Sequence, residues 1–284
     1  MWKIQPIHVA TQHCIRKGML DTGDPADATE RMDIPFVCWL LFNENSGKMF
    51  LVDCGPDYDN ETNAALHQPM SMRPEWHISE RLAAMGVDAG KLDGIIITHL
   101  HWDHIKAVNS LPDSLPLLVQ REELAWAASS RGTGHAKAYE TNIQEIPYFF
   151  RCHSQYVLLD GEKEIAPGLH VFPTPGHTRG SQSVLVETDK GLLILANDVV
   201  NILENWMPGI RPGNVVDSEA YDGSLEALRK HERRGGTIVP GHDFRVFTEM
   251  AHLFDKIFPV RTDVAATSAK RPSEQLSRES CHEE

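Results

Sequence analysis

Five histidines and two aspartates occupy four places in the chain that share one local pattern. The first place is residues 98–104, Thr-His-Leu-His-Trp-Asp-His, which follow the apolar run 94–97. Each of the other three places also follows an apolar run. The seven side chains are His99, His101, Asp103, His104, His177, Asp198 and His242.

Imidazole and carboxylate are ligands that Zn²⁺ takes readily, and catalytic zinc sites keep one position open for water. Seven such groups suit two metals that share a bridging carboxylate. Two metals about 3.5–4 Å apart lower the pKa of a bound water and polarise a carbonyl or phosphoryl oxygen. The pattern therefore predicts two divalent metal ions, with zinc favoured, and a hydrolytic enzyme. The other ten histidines are predicted to be ordinary surface or core residues.

The elements that position these residues follow from hydrophobic periodicity and turn composition. The runs 34–42 and 48–52 flank a turn-forming segment and predict a hairpin. Further strands are predicted at 94–98, 117–120, 155–159, 169–173, 182–187, 191–196 and 237–240. Helices are predicted at 74–85, 122–128, 135–146, 218–233 and 246–257, and long loops at 16–33 and 56–74. This order predicts an α/β sandwich with mixed sheets, formed by one domain at 1–261, and a polar, flexible tail at 262–284.

Composition narrows the function classes. The formal net charge is −13, which disfavours nucleic acid as a partner because phosphate backbones are held by clustered Lys and Arg. Five cysteines without a C-x-x-C pair disfavour a disulfide framework. No run reaches the ~18 apolar residues of a membrane span, and the N-terminal segment lacks an apolar signal region. We therefore expect a cytoplasmic protein that binds a small molecule and no membrane.

The order His-x-His-x-Asp-His, then Pro-Gly-His, then a strand-end Asp, then Gly-His resembles the metallo-β-lactamase superfamily. The resemblance covers residues 34–258 and implies an αββα sandwich. It implies that three residues hold one metal, three hold a second and one bridges them. The first set is His99, His101 and His177; the second is Asp103, His104 and His242; the bridge is Asp198.

Asp53 lies in the turn Asp-Cys-Gly after an early strand. It matches the superfamily's Asp-x-Gly, and the resemblance implies that it orients a metal ligand from outside the ligand set. The alternative is a simple turn residue.

Four segments resemble the N-acyl-homoserine lactonase branch of the superfamily: residues 92–104, 118–123, 174–188 and 241–243. The resemblance implies that a water molecule activated by two metals attacks a lactone carbonyl. Asp103 would then carry a proton to the leaving alkoxide as a general acid, or act as a ligand only, and Asp198 would complete the catalytic centre.

Two departures from that branch leave another lactone or ester open as the substrate. Residues 105–107 are Ile-Lys-Ala where the branch has small residues. Asn201 stands where the branch has a tyrosine, and its amide could support the substrate carbonyl oxygen.

Apolar residues of the long loops are candidates for the substrate pocket, with core packing as the alternative. They hint at a substrate with an apolar portion. The candidates are Met19, Leu20, Met32, Met70, Phe149 and Trp206.

Other functions remain as alternatives. A glyoxalase-II-like thioesterase would need a basic cluster, for which the only candidate is Arg229, Lys230, Arg233 and Arg234, predicted to be a solvated helix face. A non-catalytic metal-binding scaffold is a remote alternative. Related lactonases include dimers, so a homodimer is a further possibility.

Overall fold

The computed structural model describes residues 1–58, 60–141, 146–151 and 155–257. The described strands are β1 (Trp2–Ile15), β2 (Arg31–Asn43), β3 (Met49–Val52), β4 (Met70–Ser71), β5 (Gly94–Ile96), β6 (Leu117–Gln120), β7 (Tyr156–Leu159), β8 (Lys163–Ala166), β9 (Leu169–Pro173), β10 (Gln182–Thr188), β11 (Gly191–Asn197) and β12 (Thr237–Pro240). The described α-helices are α1 (Arg16–Met19), α2 (Asn60–Leu66), α3 (Ile78–Ala84), α4 (Trp102–Ile105), α5 (Arg121–Ser129), α6 (Tyr148–Arg151) and α7 (Ser218–Glu232).

Hydrogen bonding orders the strands β12-β11-β10-β1-β2-β3-β5-β6-β7. β1 and β10 meet at a single register pair, Trp2 with Thr188, so the network divides there into two halves. The first half contains the long antiparallel β1–β2 ladder and the parallel pairs from β3 to β7. The second contains antiparallel β9–β10–β11 and parallel β11–β12. Both halves are therefore mixed, as predicted.

Alternation along the strands builds the layers, because successive side chains of a strand point to opposite faces. In β2, Val37, Trp39 and Leu41 face a core cluster between the two halves, where they meet residues such as Val184 and Leu193. The opposite face of β2 packs under α3 and the loop around α4. That face carries Phe36, Cys38 and Leu40.

The second half repeats this arrangement on its other side. Leu185 and Ile194 face a third cluster, which contains Leu225 and Leu228 of α7. The layer order is thus helix, sheet, sheet, helix, which confirms the predicted αββα sandwich.

The predicted strands are confirmed within a few residues at their ends, but β1, β4 and β8 were not predicted. β1 mixes Lys, Gln and His with its apolar residues. Its extended form depends on thirteen register pairs with β2 rather than on a strong local pattern. The segments predicted as long loops also contain structure: α1 and the start of β2 lie in 16–33, and α2 and β4 lie in 56–74.

The predicted helix at 246–257 is wrong. The chain there forms two short 3₁₀ turns, Phe244–Phe247 and Ala251–Leu253. Val246, Met250 and Phe254 pack into the cluster between the two sheets, and the Asp255 N–H donates to the carbonyl of Ile4. Tertiary packing and a bond to β1 therefore replace the helical ladder.

The predicted helix at 135–146 is also not observed over its first part. Residues 135–141 form turns, and Glu140 has a positive φ of 51°, which a helix cannot contain. Residues 142–145 lie outside the described residues, as does the predicted tail at 262–284. Among the helices that the structure describes, none has the length and apolar character needed to cross a membrane.

Candidate metal centre

The seven predicted ligands come from four strand ends at one edge of the sandwich. β5 leads to His99, His101, Asp103 and His104, and β9, β11 and β12 lead to His177, Asp198 and His242 respectively. The structure brings all seven together in three overlapping groups, each with its ligand atoms within 4.8 Å of one another. The groups are His99, His101 and His177; His99, His104 and Asp198; and Asp103, His104 and His242.

Asp198 lies between two sets of imidazoles. Its Oδ2 is 3.3 Å from His177 Nε2 and 3.9 Å from His99 Nε2. Its Oδ1 is 3.2 Å from His104 Nε2 and 3.0 Å from His242 Nε2. One carboxylate therefore presents one oxygen to each set.

The other members complete the two sets. His101 Nδ1 lies 3.0 Å from the Nε2 atoms of both His99 and His177. Asp103 Oδ2 is 3.7 Å from His104 Nε2 and 3.9 Å from His242 Nε2.

Outer hydrogen bonds orient the imidazoles of the second set. His104 Nδ1 donates to Asp53 Oδ2 at 2.8 Å, and His242 Nδ1 donates to the carbonyl oxygen of Pro35 at 3.0 Å. These acceptors fix the orientation of both rings, so each Nε2 faces the cluster.

Asp53 is a buried junction at this edge. Besides His104, it accepts hydrogen bonds from the Thr98 N–H at 2.8 Å, the Thr98 hydroxyl at 2.7 Å and the Asn197 amide at 3.1 Å. Asp53 and Asn197 both have positive φ, 56° and 44°. The carboxylate thus ties β5, α4 and the end of β11 together, which is more than a simple turn residue does.

The two sets differ in electrostatics. Burial lowers the pKa of His99 and His101 well below the ordinary histidine value, and burial also lowers that of His177. Burial alone would lower the pKa of His104 as well, but the carboxylates of Asp198, Asp103 and Asp53 outweigh it and raise that pKa well above its usual range. The first set is therefore neutral imidazole, the form that binds metal.

His242 and Asp198 follow the same logic as His104. Burial lowers the pKa of His242, but the charge of Asp198, its hydrogen bond to the ring and the charge of Asp103 together outweigh burial and raise that pKa above its usual value. Burial raises the pKa of Asp198, but His242, His104 and the other imidazoles hold it well below its usual range. The carboxylates around His104 and His242 thus favour positive charge between these two rings.

The residues present fit a pair of divalent metals. Three carboxylates surround the buried His104 ring, and its Nε2 faces Asp198 Oδ1 at 3.2 Å. Positive charge placed between the carboxylates and the inward nitrogens would satisfy both. Five imidazoles, two carboxylates and no cysteine form a donor set for zinc or a similar ion.

A second buried carboxylate, Glu123 of α5, joins the two loops that carry the first set. It accepts hydrogen bonds from the Leu100 N–H at 2.9 Å, the Thr178 hydroxyl at 2.6 Å, the Gly180 N–H at 3.1 Å and the Tyr139 hydroxyl at 2.9 Å. The Tyr139 ring lies against His101, with ring centroids 4.7 Å apart. Sequence reasoning did not assign Glu123 a role.

The sequence model of the metallo-beta-lactamase superfamily matches residues 35–242, which run from within β2 to the last predicted ligand, His242. This chain belongs to the metallo-beta-lactamase superfamily.

Named relatives identify the branch of the superfamily that the chain resembles. An N-acyl homoserine lactonase from a Bacillus species is 30% identical over 227 residues, which cover 75% of this chain and 83% of the relative. The N-acyl homoserine lactonase AiiA from Bacillus thuringiensis subsp. kurstaki is 28% identical over 237 residues, which cover 77% and 87%. The resemblance to the N-acyl-homoserine lactonase branch is thereby confirmed.

Solved structures agree in fold. The crystal structure of a quorum-quenching N-acyl homoserine lactone lactonase superposes with a TM-score of 0.71 at 24% identity, and covers 87% of this chain and 94% of its own. AidC, described as a dizinc quorum-quenching lactonase, superposes with a TM-score of 0.60 at 16% identity, and covers 85% and 87%.

Enzymes usually bind small substrates in a concave pocket beside the reactive groups. In this superfamily member, a cavity of about 440 Å³ opens onto the metal centre. The predicted ligands His101, Asp103, His177, Asp198 and His242 line it. The rest of its wall includes both apolar and polar residues. The apolar ones are Ile15, Met19, Ile34, Trp102, Val215 and Val216, and the polar ones include Gln12, His67, Gln68, His135 and Lys137.

The predicted pocket residues divide into three groups. Met19 lines the metal cavity. Leu20 and Met32 line a neighbouring cavity that shares His242 with it, and Met70 lines another that shares His67 and Gln68. Phe149 is fully buried in the core, and Trp206 packs beside α7, where its indole N–H donates to Glu232. The structure thus shows Phe149 and Trp206 as packing residues, and neither lines the metal cavity.

Asn201 does not line the metal cavity. Its side chain is fully buried, and both amide atoms have no hydrogen-bond partner among the described residues. Its backbone carbonyl accepts from the His242 N–H at 2.7 Å. Asn201 therefore contacts the His242 backbone through its own backbone carbonyl, and its side chain is not part of the cavity wall.

The cavity wall also contains residues that sequence reasoning assigned to the ordinary surface or core, notably His67 and His135. No local pattern marks them. His67 follows α2 and His135 follows a glycine-containing turn, and they line the cavity only because these segments fold beside it. None of the basic residues of α7 lines the cavity, which disfavours the thioesterase alternative.

Proposed function

We propose that the protein is a dinuclear-metal lactonase that opens the ring of N-acyl homoserine lactones. The observation that carries this proposal is the position of Asp198, whose two oxygens face separate sets of imidazoles. The lactonase relatives, which match across most of the chain, supply the substrate class.

In this proposal His99, His101 and His177 would hold one zinc ion, Asp103, His104 and His242 would hold the other, and Asp198 would be shared between them. The name of AidC as a dizinc lactonase supports zinc. Two such ions would supply an activated water nucleophile and polarise the lactone carbonyl.

The reaction adds water across the ring ester, so the bond between the carbonyl carbon and the ring oxygen breaks and a hydroxy acid forms. The ring oxygen needs a proton as it leaves. Asp103 lines the cavity with a side chain that is 15% exposed, the most accessible of the ligand carboxylates. We assign its carboxylate the transfer of the proton from the attacking water to the ring oxygen.

Asp198 acts as the fixed anionic partner of both imidazole sets. Asp53 holds His104 with Nε2 directed inward, and Glu123 holds the loops of the first set in place. The apolar part of the cavity wall, with Met19, Ile34 and Val216, would cover the acyl chain and exclude water from the reacting ester.

The test is proton release from N-hexanoyl homoserine lactone, followed with a pH indicator and zinc-loaded protein. A chelator-treated sample and the variant Asp198→Ala are the controls. Metal-dependent ring opening that Asp198→Ala loses would support the proposal.

Another lactone or ester is the second candidate, because the buried Asn201 replaces the branch's tyrosine. Plain γ-lactones and aryl esters should therefore be assayed in parallel. Two bound metals with turnover of these alone would replace the homoserine substrate with that class.

A further inference from the structure

Lys106 stands where the lactonase branch has small residues, and its side chain is buried. It is 3% exposed, and its Nζ donates to Glu140 Oε1 at 3.0 Å and to Asn63 Oδ1 at 3.2 Å. A buried ammonium group requires such partners, since an unpaired charge in the interior is costly. The residue two positions after the ligand His104 is therefore tied to the turn that carries Glu140.

Glu140 connects Lys106 to His67, a residue that lines the metal cavity. It is fully buried, and its Oε1 lies 3.0 Å from His67 Nε2 as well as from Lys106. An ionised carboxylate only accepts hydrogen bonds, so Nε2 must donate. In the neutral imidazole the other nitrogen, Nδ1, then has a free lone pair and is an acceptor.

The His67 ring is held on its face as well. It stacks on Trp102 with ring centroids 3.9 Å apart and planes 12° from parallel. Trp102 stands between the predicted ligands His101 and Asp103 in the sequence, and both Trp102 and His67 are among the residues that line the metal cavity. Nδ1 has no hydrogen-bond partner in the described part of the chain. The ring is thus an oriented acceptor that protein groups leave unused.

We infer that His67 is a substrate-binding residue whose Nδ1 accepts a hydrogen bond from the amide N–H of the substrate, and that Glu140 and Lys106 position it. The inference rests on the proposed function and deepens it. A lactone ring offers no N–H, whereas an N-acylated homoserine lactone has one on the ring carbon next to the carbonyl. His67 therefore selects lactones that carry an acylamino group at that carbon.

The test compares two substrates that differ only at this group. One is N-hexanoyl homoserine lactone, and the other is its ester analogue, with oxygen in place of N–H. Ring-opened products are separated by chromatography, and kcat/KM is measured for each with zinc-loaded protein. His67→Phe keeps a ring that can stack on Trp102 but removes the acceptor.

We expect His67→Phe to lower the ratio of kcat/KM for amide over ester by about 5–10-fold, the size of one lost hydrogen bond. The ratio is insensitive to a loss of folded or metal-loaded enzyme, since both substrates are affected alike. His170→Phe, on β9 and away from the cavity, is the matched control and should leave the ratio at the wild-type value.

Binding provides a readout independent of turnover. Metal-free protein cannot complete the proposed reaction, so calorimetry can measure the Kd of N-hexanoyl homoserine lactone directly. His67→Phe should raise this Kd by a similar factor.

The positioning role of Glu140 is tested with a pair of variants. Glu140→Gln keeps an oxygen acceptor for both His67 and Lys106 and should retain most of the substrate preference. Glu140→Leu removes the acceptor and should lower the ratio as His67→Phe does. A ratio that falls in both variants to the same extent would overturn this role.

The possible outcomes separate the inference from the function on which it rests. Wild-type protein that opens both substrates with a ratio unchanged in His67→Phe would overturn the inference and leave the lactonase function standing. Failure of the zinc-loaded wild type to open either substrate would refute the function and the inference together.

Discussion

Replacing Glu123 with alanine should destabilise the fold and weaken metal binding by the first set. The carboxylate is fully buried and accepts four hydrogen bonds, two of them from the backbone N–H groups of Leu100 and Gly180. Leu100 separates the predicted ligands His99 and His101, and Gly180 lies in the loop after His177. Without Glu123 these donors have no acceptor, and the loops lose their common anchor.

The magnitude follows from the donors left behind. A buried donor without a partner costs about 1–3 kcal/mol, so the four would cost at most about 12 kcal/mol. The true loss is smaller, because burial raises the pKa of Glu123 in spite of its hydrogen bonds, which shows that the carboxylate also bears a desolvation cost. The hydroxyls of Thr178 and Tyr139 can rotate, but the two backbone donors cannot. We therefore expect a loss of about 3 kcal/mol.

The assay is urea unfolding of chelator-treated protein, which measures the free energy of unfolding without a contribution from metal. Glu122→Ala is the matched control, since Glu122 is the exposed neighbour on α5 and should change stability by less than about 0.5 kcal/mol. A change below about 1 kcal/mol in Glu123→Ala would refute the reasoning that these four contacts hold the loops. Competition with a chromophoric chelator measures the zinc affinity of Glu123→Ala, which should be lower than that of the wild type.

Three further predictions follow from single contacts. Asp53→Ala removes the acceptor of His104 Nδ1 and should weaken zinc binding about 10–100-fold in chelator competition; unchanged affinity would contradict the orienting role. Asp198→Asn replaces one of the two oxygens that face the imidazole sets with an amide nitrogen. It should therefore reduce the zinc content, measured by elemental analysis, from two ions towards one, and lower turnover at least about 100-fold. Two retained ions with normal turnover would contradict the bridging role. Gly180→Ala places a Cβ 2.0 Å from the backbone N of Glu123 and should lower the free energy of unfolding by about 3 kcal/mol or more, measured by urea or thermal unfolding. The control Gly223→Ala lies in open space on α7 and should raise that free energy by about 0.5–1 kcal/mol. Equal effects of the two substitutions would contradict the packing around Glu123.

Much of the metal centre could be predicted from the sequence because its signals are local. Four of the seven predicted ligands lie within six residues, and each of the others follows a run of apolar residues that predicts a strand. Ligand chemistry limits the residue types, and strand ends are natural places for such groups. The alternation that builds the sheets, as in β2, is equally local, so the layered architecture was predictable as well.

Contacts between distant segments were decided only by the tertiary structure. Glu123 and His67 have no local signature: Glu123 acts because α5 packs under two loops, and His67 because Glu140 lies 73 positions along the chain. The same reason explains the wrong predictions. Residues 246–257 pack as short turns against the sheets, and Asn201 is buried beneath the site that its position suggested it would face. Local sequence determines which groups are available and which elements can form, whereas the wall of the cavity depends on how loops fold over one another.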